Sequence, residues 1–117
     1  MKNFIEKELR PWGYFRVLAD ENDYKVKQIV VRPGQCLSLQ KHQKRSEHWF
    51  IIKGAGIVTL EGIQNNKKEG ESIDIPKESI HRIENRGKDD LVFVEIQTGE
   101  YFGEDDIERI EDIYSRK

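Results

Sequence analysis

The chain has 117 residues, 36% of them charged, and a formal net charge of −2. Charges of both signs are interspersed along it, which argues against a nucleic-acid partner or an anionic membrane surface. No apolar run is long enough to span a membrane, the first residues lack a signal-peptide stretch, and the one cysteine, Cys36, cannot form an intrachain disulfide. We therefore expect a single cytoplasmic domain spanning residues 1–117.

Short strands separated by turns dominate the chain up to about residue 100. Residues 1–9 are charged and predict an N-terminal arm or a short helix. The run at 49–52 is apolar on both faces, which is expected of a central strand. Residues 62–68 carry the Asn-rich composition of a hairpin tip. Strands are predicted at 10–18, 24–32, 57–61, 72–75, 80–84 and 91–97. This pattern indicates an all-β antiparallel sandwich or barrel.

Helical periodicity occurs only at the end of the chain. Ile107, Ile110 and Tyr114 recur at the spacing of one helix face, and the acidic residues 104–106 favour a helix N-terminus. A short C-terminal helix is therefore predicted over residues 104–117.

Four side chains with suitable metal-ligating atoms are spaced so that they converge. Gln40 and His42 lie two apart and share one face of a strand, because side chains alternate with a period of two. A bend at 43–46 returns Glu47 from the next strand, and His81 lies in a later strand-like segment. Amide oxygen, carboxylate and imidazole form a mixed set that suits a first-row divalent ion.

The strand that carries Gln40 and His42 has a second face, formed by Leu37, Leu39 and Lys41. If the first face lines a polar cavity, the two leucines need cover from a second sheet, the N-terminal arm or another subunit. Leaving each leucine in water would forfeit about 1.5–3 kcal/mol. A homodimer is one expected arrangement.

Two spaced motifs strengthen the metal-site hypothesis. Residues 34–54 resemble the cupin motif G-x5-H-x-H-x4-E-x6-G, with Gln40 at the position of its first histidine. Residues 70–85 resemble the partner motif G-x5-P-x-G-x2-H-x3-N, with Glu78 in place of the middle glycine. The resemblance implies a cupin fold, a double-stranded β-helix or jelly-roll barrel.

From Arg10 onward the chain is similar to one cupin branch, the C-terminal isomerase domain of type II phosphomannose isomerases. That domain is usually fused to a mannose-1-phosphate guanylyltransferase, and we expect this chain to be a free-standing version without guanylyl transfer. The branch commonly has a run of histidines at 42–44, of which only His42 is present here. The matching pieces are Arg10-Pro-Trp-Gly13, Tyr24-Lys-Val-Lys27, Leu37-Ser-Leu-Gln40, Arg45-Ser-Glu-His-Trp49, His81-Arg82 with Asn85, and Gly103-Glu-Asp-Asp-Ile107.

The resemblance implies interconversion of mannose 6-phosphate and fructose 6-phosphate through a cis-enediol. A divalent zinc, manganese, cobalt, nickel or iron ion would be held by Gln40, His42, Glu47 and His81. Arg45 is the expected catalytic arginine, and its place in the bend predicts a guanidinium reaching over the cavity mouth.

The proton-transferring base and the phosphate ligands stay open at this stage. Glu84, Glu95 and His48 are the alternatives for the base. Arg82 and Lys44 are weaker phosphate candidates, because Arg82 has the opposite strand parity to His81 and suits an outward salt bridge.

Three functions are compatible with the sequence. The first is a sugar-phosphate isomerase. The second is a non-catalytic cupin that binds a sugar or sugar nucleotide, or that partners a separate guanylyltransferase. A metal-dependent dioxygenase is the least favoured, because such iron sites usually contain more histidine.

Overall fold

The computed structural model describes residues 6–111, which fold into two antiparallel sheets packed face to face. The six-stranded sheet has the order β1-β2-β3-β10-β5-β8 and the five-stranded sheet the order β11-β4-β9-β6-β7. In chain order the strands are β1 (Glu8–Arg10), β2 (Gly13–Asp20), β3 (Tyr24–Val31), β4 (Leu39–His42), β5 (Arg45–Lys53), β6 (Ala55–Leu60), β7 (Ile63–Lys68), β8 (Ser72–Ile75), β9 (His81–Glu84), β10 (Leu91–Gly99) and β11 (Ile107–Glu111), with a 3-10 turn at Glu104–Asp106. The predicted all-β antiparallel architecture is confirmed.

The register between β5 and β10 divides the interior into an apolar end and a polar end. Phe93 pairs with Ile51, whereas Gln97 pairs with Glu47 two rows further along. Inward-facing positions therefore change from apolar to polar along both strands, one row earlier on β10, where Glu95 pairs with the inward Trp49. The apolar end is the core, formed by Trp12, Phe15, Ile29, Val31, Trp49, Ile51, Val58, Ile75, Ile83, Leu91 and Phe93.

Strand β5 is central, lying between β10 and β8, but its two faces differ. Trp49 and Ile51 are buried, whereas Phe50 and Ile52 are 41% and 49% exposed on the outer face. Leu37, for which the sequence predicts an outward position, packs against the core instead. The chain enters β4 irregularly, with only an isolated bridge between Cys36 and Glu84, so strict alternation does not extend back to Leu37.

The predicted C-terminal helix is wrong over the described residues. Only Glu104–Asp106 is helical, as one 3-10 turn, and Ile107–Glu111 is strand β11, paired with β4. The pairing gives the N–H and C=O groups of β11 hydrogen-bond partners, and it turns Ile107 and Arg109 towards the interior cavity. Residues 112–117 of the predicted helix lie outside the described part.

Two other predictions differ in detail. Residues 1–5 of the predicted arm lie outside the described part, and Glu8–Arg10 forms strand β1 against β2. The predicted hairpin tip at 62–68 is largely strand β7. The hairpin turns instead at Glu61 and Gly62, whose φ angles are 49° and 79°. Within residues 6–111 no helix is long and apolar enough to cross a bilayer.

Candidate metal centre

Three of the four predicted ligands meet at the polar end of the interior. His42 ends β4, Glu47 lies near the start of β5 and His81 begins β9. His42 Nε2 is 3.2 Å from Glu47 Oε2, and His81 Nε2 is 4.0 Å from Glu47 Oε1. All three side chains are buried, and one potential ligand atom from each lies within 4.8 Å of the others.

Hydrogen bonding prepares His81 to coordinate an ion. Its Nδ1 lies 2.9 Å from the main-chain oxygen of Ser79, so Nδ1 carries the proton and donates it to that carbonyl. Nε2 then presents its lone pair towards Glu47. Burial lowers the pKa of His81, so the imidazole is neutral at pH 7, as metal ligation requires.

His42 is neutral for the same reason. Burial, together with the nearby Arg45 and His81, lowers its pKa to about 3. Its buried Nδ1 has no hydrogen-bond partner among the described residues. A buried polar atom without a partner is unusual, and a bound water is a common reason for one. The ring nitrogen that faces Glu47 is the other one, Nε2.

The spacing of the candidate ligand atoms is close to that needed for a first-row ion. With metal–ligand distances of about 2.0–2.2 Å, two ligand atoms on one ion lie about 3.0–3.5 Å apart. The 3.2 Å separation of His42 Nε2 and Glu47 Oε2 falls within this range, whereas His81 Nε2 is 4.0 Å from the other oxygen, Oε1, and the set spans up to 4.8 Å, so His81 must move closer to bind the same ion. Two imidazoles and a carboxylate are also the donor types that such ions take.

Gln40, the fourth predicted ligand, lines the same cavity. Its Nε2 donates to Ser38 Oγ at 3.0 Å. The amide oxygen is therefore the atom left to face a cation. In the five-stranded sheet Gln40 is paired across the strands with His81 on β9 and with Arg109 on β11.

Arg45 lies inside the protein and not over the cavity mouth. Its Nε donates to Glu47 Oε2 at 2.8 Å, and its Nη2 lies 3.4 Å from His42 Nε2. Strand β5 begins at Arg45 itself, so this residue has the same inward parity as Glu47 and Trp49. The predicted position over the mouth is therefore wrong.

Glu95 brings a second buried carboxylate to the centre. Trp49 Nε1 donates to Glu47 Oε1 at 2.9 Å and to Glu95 Oε2 at 3.2 Å, and Gln97 Nε2 donates to Glu95 Oε1. Burial, reinforced by the charge of Glu47, raises the pKa of Glu95 to about 7. The sequence suggests Glu84, Glu95 and His48 as the base, and of these only Glu95 lies in the cavity wall.

The other predicted site residues lie away from the centre. Glu84 has the opposite parity to His81 and binds Arg86 at 3.2 Å on the outer face. Arg82 borders the cavity, but its guanidinium binds Glu111 at 3.1 Å. His48 lies on the outer face of β5, 2.6 Å from Asp74, and Lys44 lies over the Tyr101 ring.

Lys27 is a site residue that the sequence reasoning missed. It is 6% exposed and lines the cavity. Arg109 and the ion pair of Arg10 with Glu104 also line it. A signal was present, because Lys27 has the strand parity of Ile29 and Val31 and must therefore point inward with them. The cavity is partly open to solvent and measures about 60 Å³, room for roughly four to six water molecules at ~10–15 Å³ each.

Comparison with known proteins identifies the family. The family model described as mannose-6-phosphate isomerase C-terminal matches residues 2–112. The chain belongs to this family. Its fold is correspondingly the cupin fold that the motifs predict.

Curated relatives of this isomerase-type domain are much longer proteins. The chain is 47% identical over 107 residues to the alginate biosynthesis protein AlgA of Pseudomonas syringae pv. tomato, covering 92% of the chain and 22% of the relative. It is 48% identical over 104 residues to a mannose-1-phosphate guanylyltransferase of Sinorhizobium fredii, covering 89% and 20%. The chain thus spans about a fifth of the length of these relatives.

Solved structures share the fold at lower identity. The capsular polysaccharide assembling protein CapF of Staphylococcus aureus superposes with a TM-score of 0.81 at 22% identity, over 92% of this chain and 34% of CapF. Oxalate decarboxylase of Bacillus subtilis also gives a TM-score of 0.81, at 20% identity, over 92% and 30%. At these identities the likeness shows the fold alone.

Proposed function

We propose that the chain is a metal-dependent aldose–ketose isomerase that interconverts mannose 6-phosphate and fructose 6-phosphate. One observation carries the proposal: His42, Glu47 and His81 converge in a buried cavity that also contains the carboxylate of Glu95. Membership of the isomerase C-terminal family supports the choice of substrate.

The metal ligands in this proposal are His42, Glu47 and His81, with the amide oxygen of Gln40 completing the set. Zinc, manganese, cobalt, nickel and iron suit such donors. When bound, the ion supplies a Lewis acid that polarises the carbonyl and hydroxyl oxygens of the sugar. Arg45 acts as a positioning residue, because its contacts are to Glu47 and His42.

Glu95 is the proposed base. Of the three cavity-lining carboxylates among residues 6–111, Glu47 is assigned to the ion and Glu104 pairs with Arg10 at 3.0 Å. In the aldose-to-ketose direction Glu95 takes the proton from C2 as the carbonyl π electrons move onto O1. It then returns that proton to C1 while the O2 proton passes to O1, so that the C2 carbonyl forms and O1 ends as a hydroxyl. A positioned base of this kind typically contributes about 10²–10⁴-fold to the rate.

The proposal is tested by a coupled isomerase assay on the metal-loaded chain and on Arg45→Ala and His81→Ala, with folding checked by circular dichroism. We expect the folded His81→Ala variant, which loses a ligand, to fall at least about 100-fold in turnover, and Arg45→Ala, which loses a partner of the ligands, to fall about 10–100-fold. His48→Ala is the control, since His48 lies on the outer face. Unchanged turnover in both variants would remove these residues from the mechanism.

A second candidate is a non-catalytic cupin that binds a sugar or sugar nucleotide, or that partners a separate guanylyltransferase. Residues 42–44 favour it, because only His42 is present of the run of histidines that is common in this branch. The chain also spans only about a fifth of its guanylyltransferase relatives. Bound metal and sugar binding without turnover would select this candidate.

The proposed assembly is a cytoplasmic homodimer that acts on a small sugar phosphate, without nucleic acid or membrane. Its support is an apolar patch formed by Phe50, Ile52 and Ile96 on the outer face of the six-stranded sheet. These side chains are 38–49% exposed on the neighbouring strands β5 and β10. Contiguous exposed apolar residues of this kind commonly mark an interface.

A further inference from the structure

Lys27 is a buried cation on the wall of the cavity. Strand β3 directs it inward, between Phe15 on one side and Glu95 on the other. The residue is 6% exposed, and its Nζ lies 4.2 Å from the centroid of the Phe15 ring. Burial lowers the pKa of Lys27, which reflects the cost of holding an ammonium group in this place.

The fold does not neutralise this charge directly. Within residues 6–111, none of the ion pairs involves Lys27. Glu95 is its partner in the strand register, but both oxygens of Glu95 accept hydrogen bonds from Trp49 and Gln97. A buried charge without a bonded counter-ion is rare in proteins and indicates a place for an anion.

The position of Lys27 separates it from the metal ligands. Strands β3 and β5 are two steps apart in the same sheet, with β10 between them, so the backbone at Lys27 lies roughly 10 Å along the cavity wall from the β5 backbone that carries Glu47. In a hexose 6-phosphate the phosphate is at the opposite end of the carbon chain from the reacting carbons. A substrate with its carbonyl end at the ligands extends its phosphate along the cavity wall.

We propose that Lys27 binds the phosphate group of the substrate. This inference rests on the proposed function, because it places the reacting carbons at His42, Glu47 and His81. Arg10 also lines this cavity, but Glu104 pairs with it at 3.0 Å. Lys27 is buried in the cavity wall, and among residues 6–111 no carboxylate forms an ion pair with it. Its charge is therefore available to an incoming anion.

A phosphate-binding role makes two measurable predictions for Lys27→Met. Calorimetric titration of the metal-loaded variant with mannose 6-phosphate should show affinity weakened on the order of 10- to 100-fold, the usual effect of losing a charged hydrogen bond. Affinity for unphosphorylated mannose should stay unchanged. The midpoint of thermal unfolding without ligand should equal or exceed that of the wild type, because methionine removes a buried charge.

Two variants act as controls. Lys25→Met changes a lysine on the same strand that pairs with Asp20 at 3.9 Å and does not line the cavity, so both affinities should be retained. Lys27→Gln repeats the test with a polar side chain should the methionine variant fold poorly. Metal content, measured on every variant, should stay at the wild-type level.

The outcomes separate this inference from the proposed function. Wild-type affinity of Lys27→Met for mannose 6-phosphate would overturn the inference, as would equal weakening for mannose and mannose 6-phosphate. A wild-type chain without isomerase activity whose mannose 6-phosphate binding still depends on Lys27 would overturn the proposed function alone. A wild-type chain that binds no mannose 6-phosphate would overturn the phosphate assignment.

Discussion

Glu47 and Glu95 are buried carboxylates on adjacent strands that accept hydrogen bonds from the same indole nitrogen, Trp49 Nε1, at 2.9 and 3.2 Å. Placing two carboxylates side by side disfavours ionising both. Together with burial, this raises the pKa of Glu95 to about 7 from an ordinary value of 4.5. The arrangement therefore links the stability of the metal-free protein to pH.

Glu95→Gln is predicted to stabilise the metal-free protein at high pH. In the wild type the unfolded chain releases the Glu95 proton near pH 4.5 and the folded chain only near pH 7. The free energy of unfolding therefore falls as pH rises between these values, by about 3 kcal/mol at most. The variant should match the wild type below pH 4.5 and exceed it above pH 7, in urea denaturation with a chelator present.

The comparison must be made as a difference between variant and wild type. Burial lowers the pKa of His42 to about 3, so its contribution to the free energy of unfolding falls as pH drops below 6.5. The contribution of Glu95 changes with pH in the opposite direction. Subtraction cancels the histidine contribution. A difference that stays constant from pH 4 to pH 8 would contradict the Glu95 assignment.

His42→Ala and His81→Ala are each predicted to weaken binding of a divalent ion. The loss should be at least about 100-fold, since even outer partners of metal ligands contribute 10–100-fold. Titration with zinc followed by elemental analysis measures it, and His48→Ala should bind as the wild type does. Retained affinity in His42→Ala and His81→Ala would place the ion elsewhere.

In Glu95→Gln, which lacks the carboxyl group with a pKa of about 7, affinity for the ion should change little between pH 6.5 and pH 8. The pKa values of His42 and His81 are both lowered by burial, so no proton must leave either ring before the metal binds. Affinity falling steeply below pH 7 would indicate ligands with ordinary pKa values.

Glu78→Gly is predicted to stabilise the protein by about 0.5–1 kcal/mol. Glu78 has a φ of 65°, a left-handed conformation that costs a non-glycine residue about 1–2 kcal/mol, partly offset by the greater freedom of glycine in the unfolded chain. This is the position at which the cupin motif has its middle glycine. Thermal unfolding measures the change.

Glu61→Gly provides the matched control for that experiment. Glu61 is also left-handed, with a φ of 49°, but its Oε1 accepts a hydrogen bond from the Ile80 N–H at 3.0 Å. Losing this bond should offset the relief of backbone strain. Equal stabilisation by both substitutions would show that the Glu61 bond contributes nothing.

The double variant Phe50→Asp, Ile52→Asp is predicted to be monomeric. Both side chains belong to the apolar patch on the outer face of the six-stranded sheet, and carboxylates there would oppose burial in an interface. Light scattering coupled to gel filtration should show a wild-type dimer. Ile63→Asp, at a 68% exposed position of the other sheet, should leave the dimer intact. A wild-type monomer at high concentration would refute the homodimer.

Strand alternation and motif spacing predicted which side chains meet in the candidate metal centre. His42 and Glu47 point inward because each falls on the buried parity of its strand, and His81 follows the same rule on β9. That rule also excludes Glu84, which shares the outward parity of Arg82. Proposing Glu84 as a base neglected a signal that was present in the sequence.

Other features depend on contacts that local sequence does not encode. Ile107 and Ile110 fit one helix face, yet β11 forms because β4, more than 60 residues earlier, presents a free sheet edge to it. The direction of Arg45 depends on where β5 begins, and a shift of one residue there reverses its side. Strand boundaries of this kind are set by tertiary pairing.

The link from His81 Nδ1 to Ser79 ends on a main-chain carbonyl. Every amino acid supplies that oxygen, so the ring orientation is insensitive to the side chain at position 79. Ser79 is itself buried and its hydroxyl donates to the Pro76 carbonyl, so small residues that keep the path of the turn should replace it without turning the imidazole. Sequence change at this turn can therefore occur without disturbing the ring that it orients.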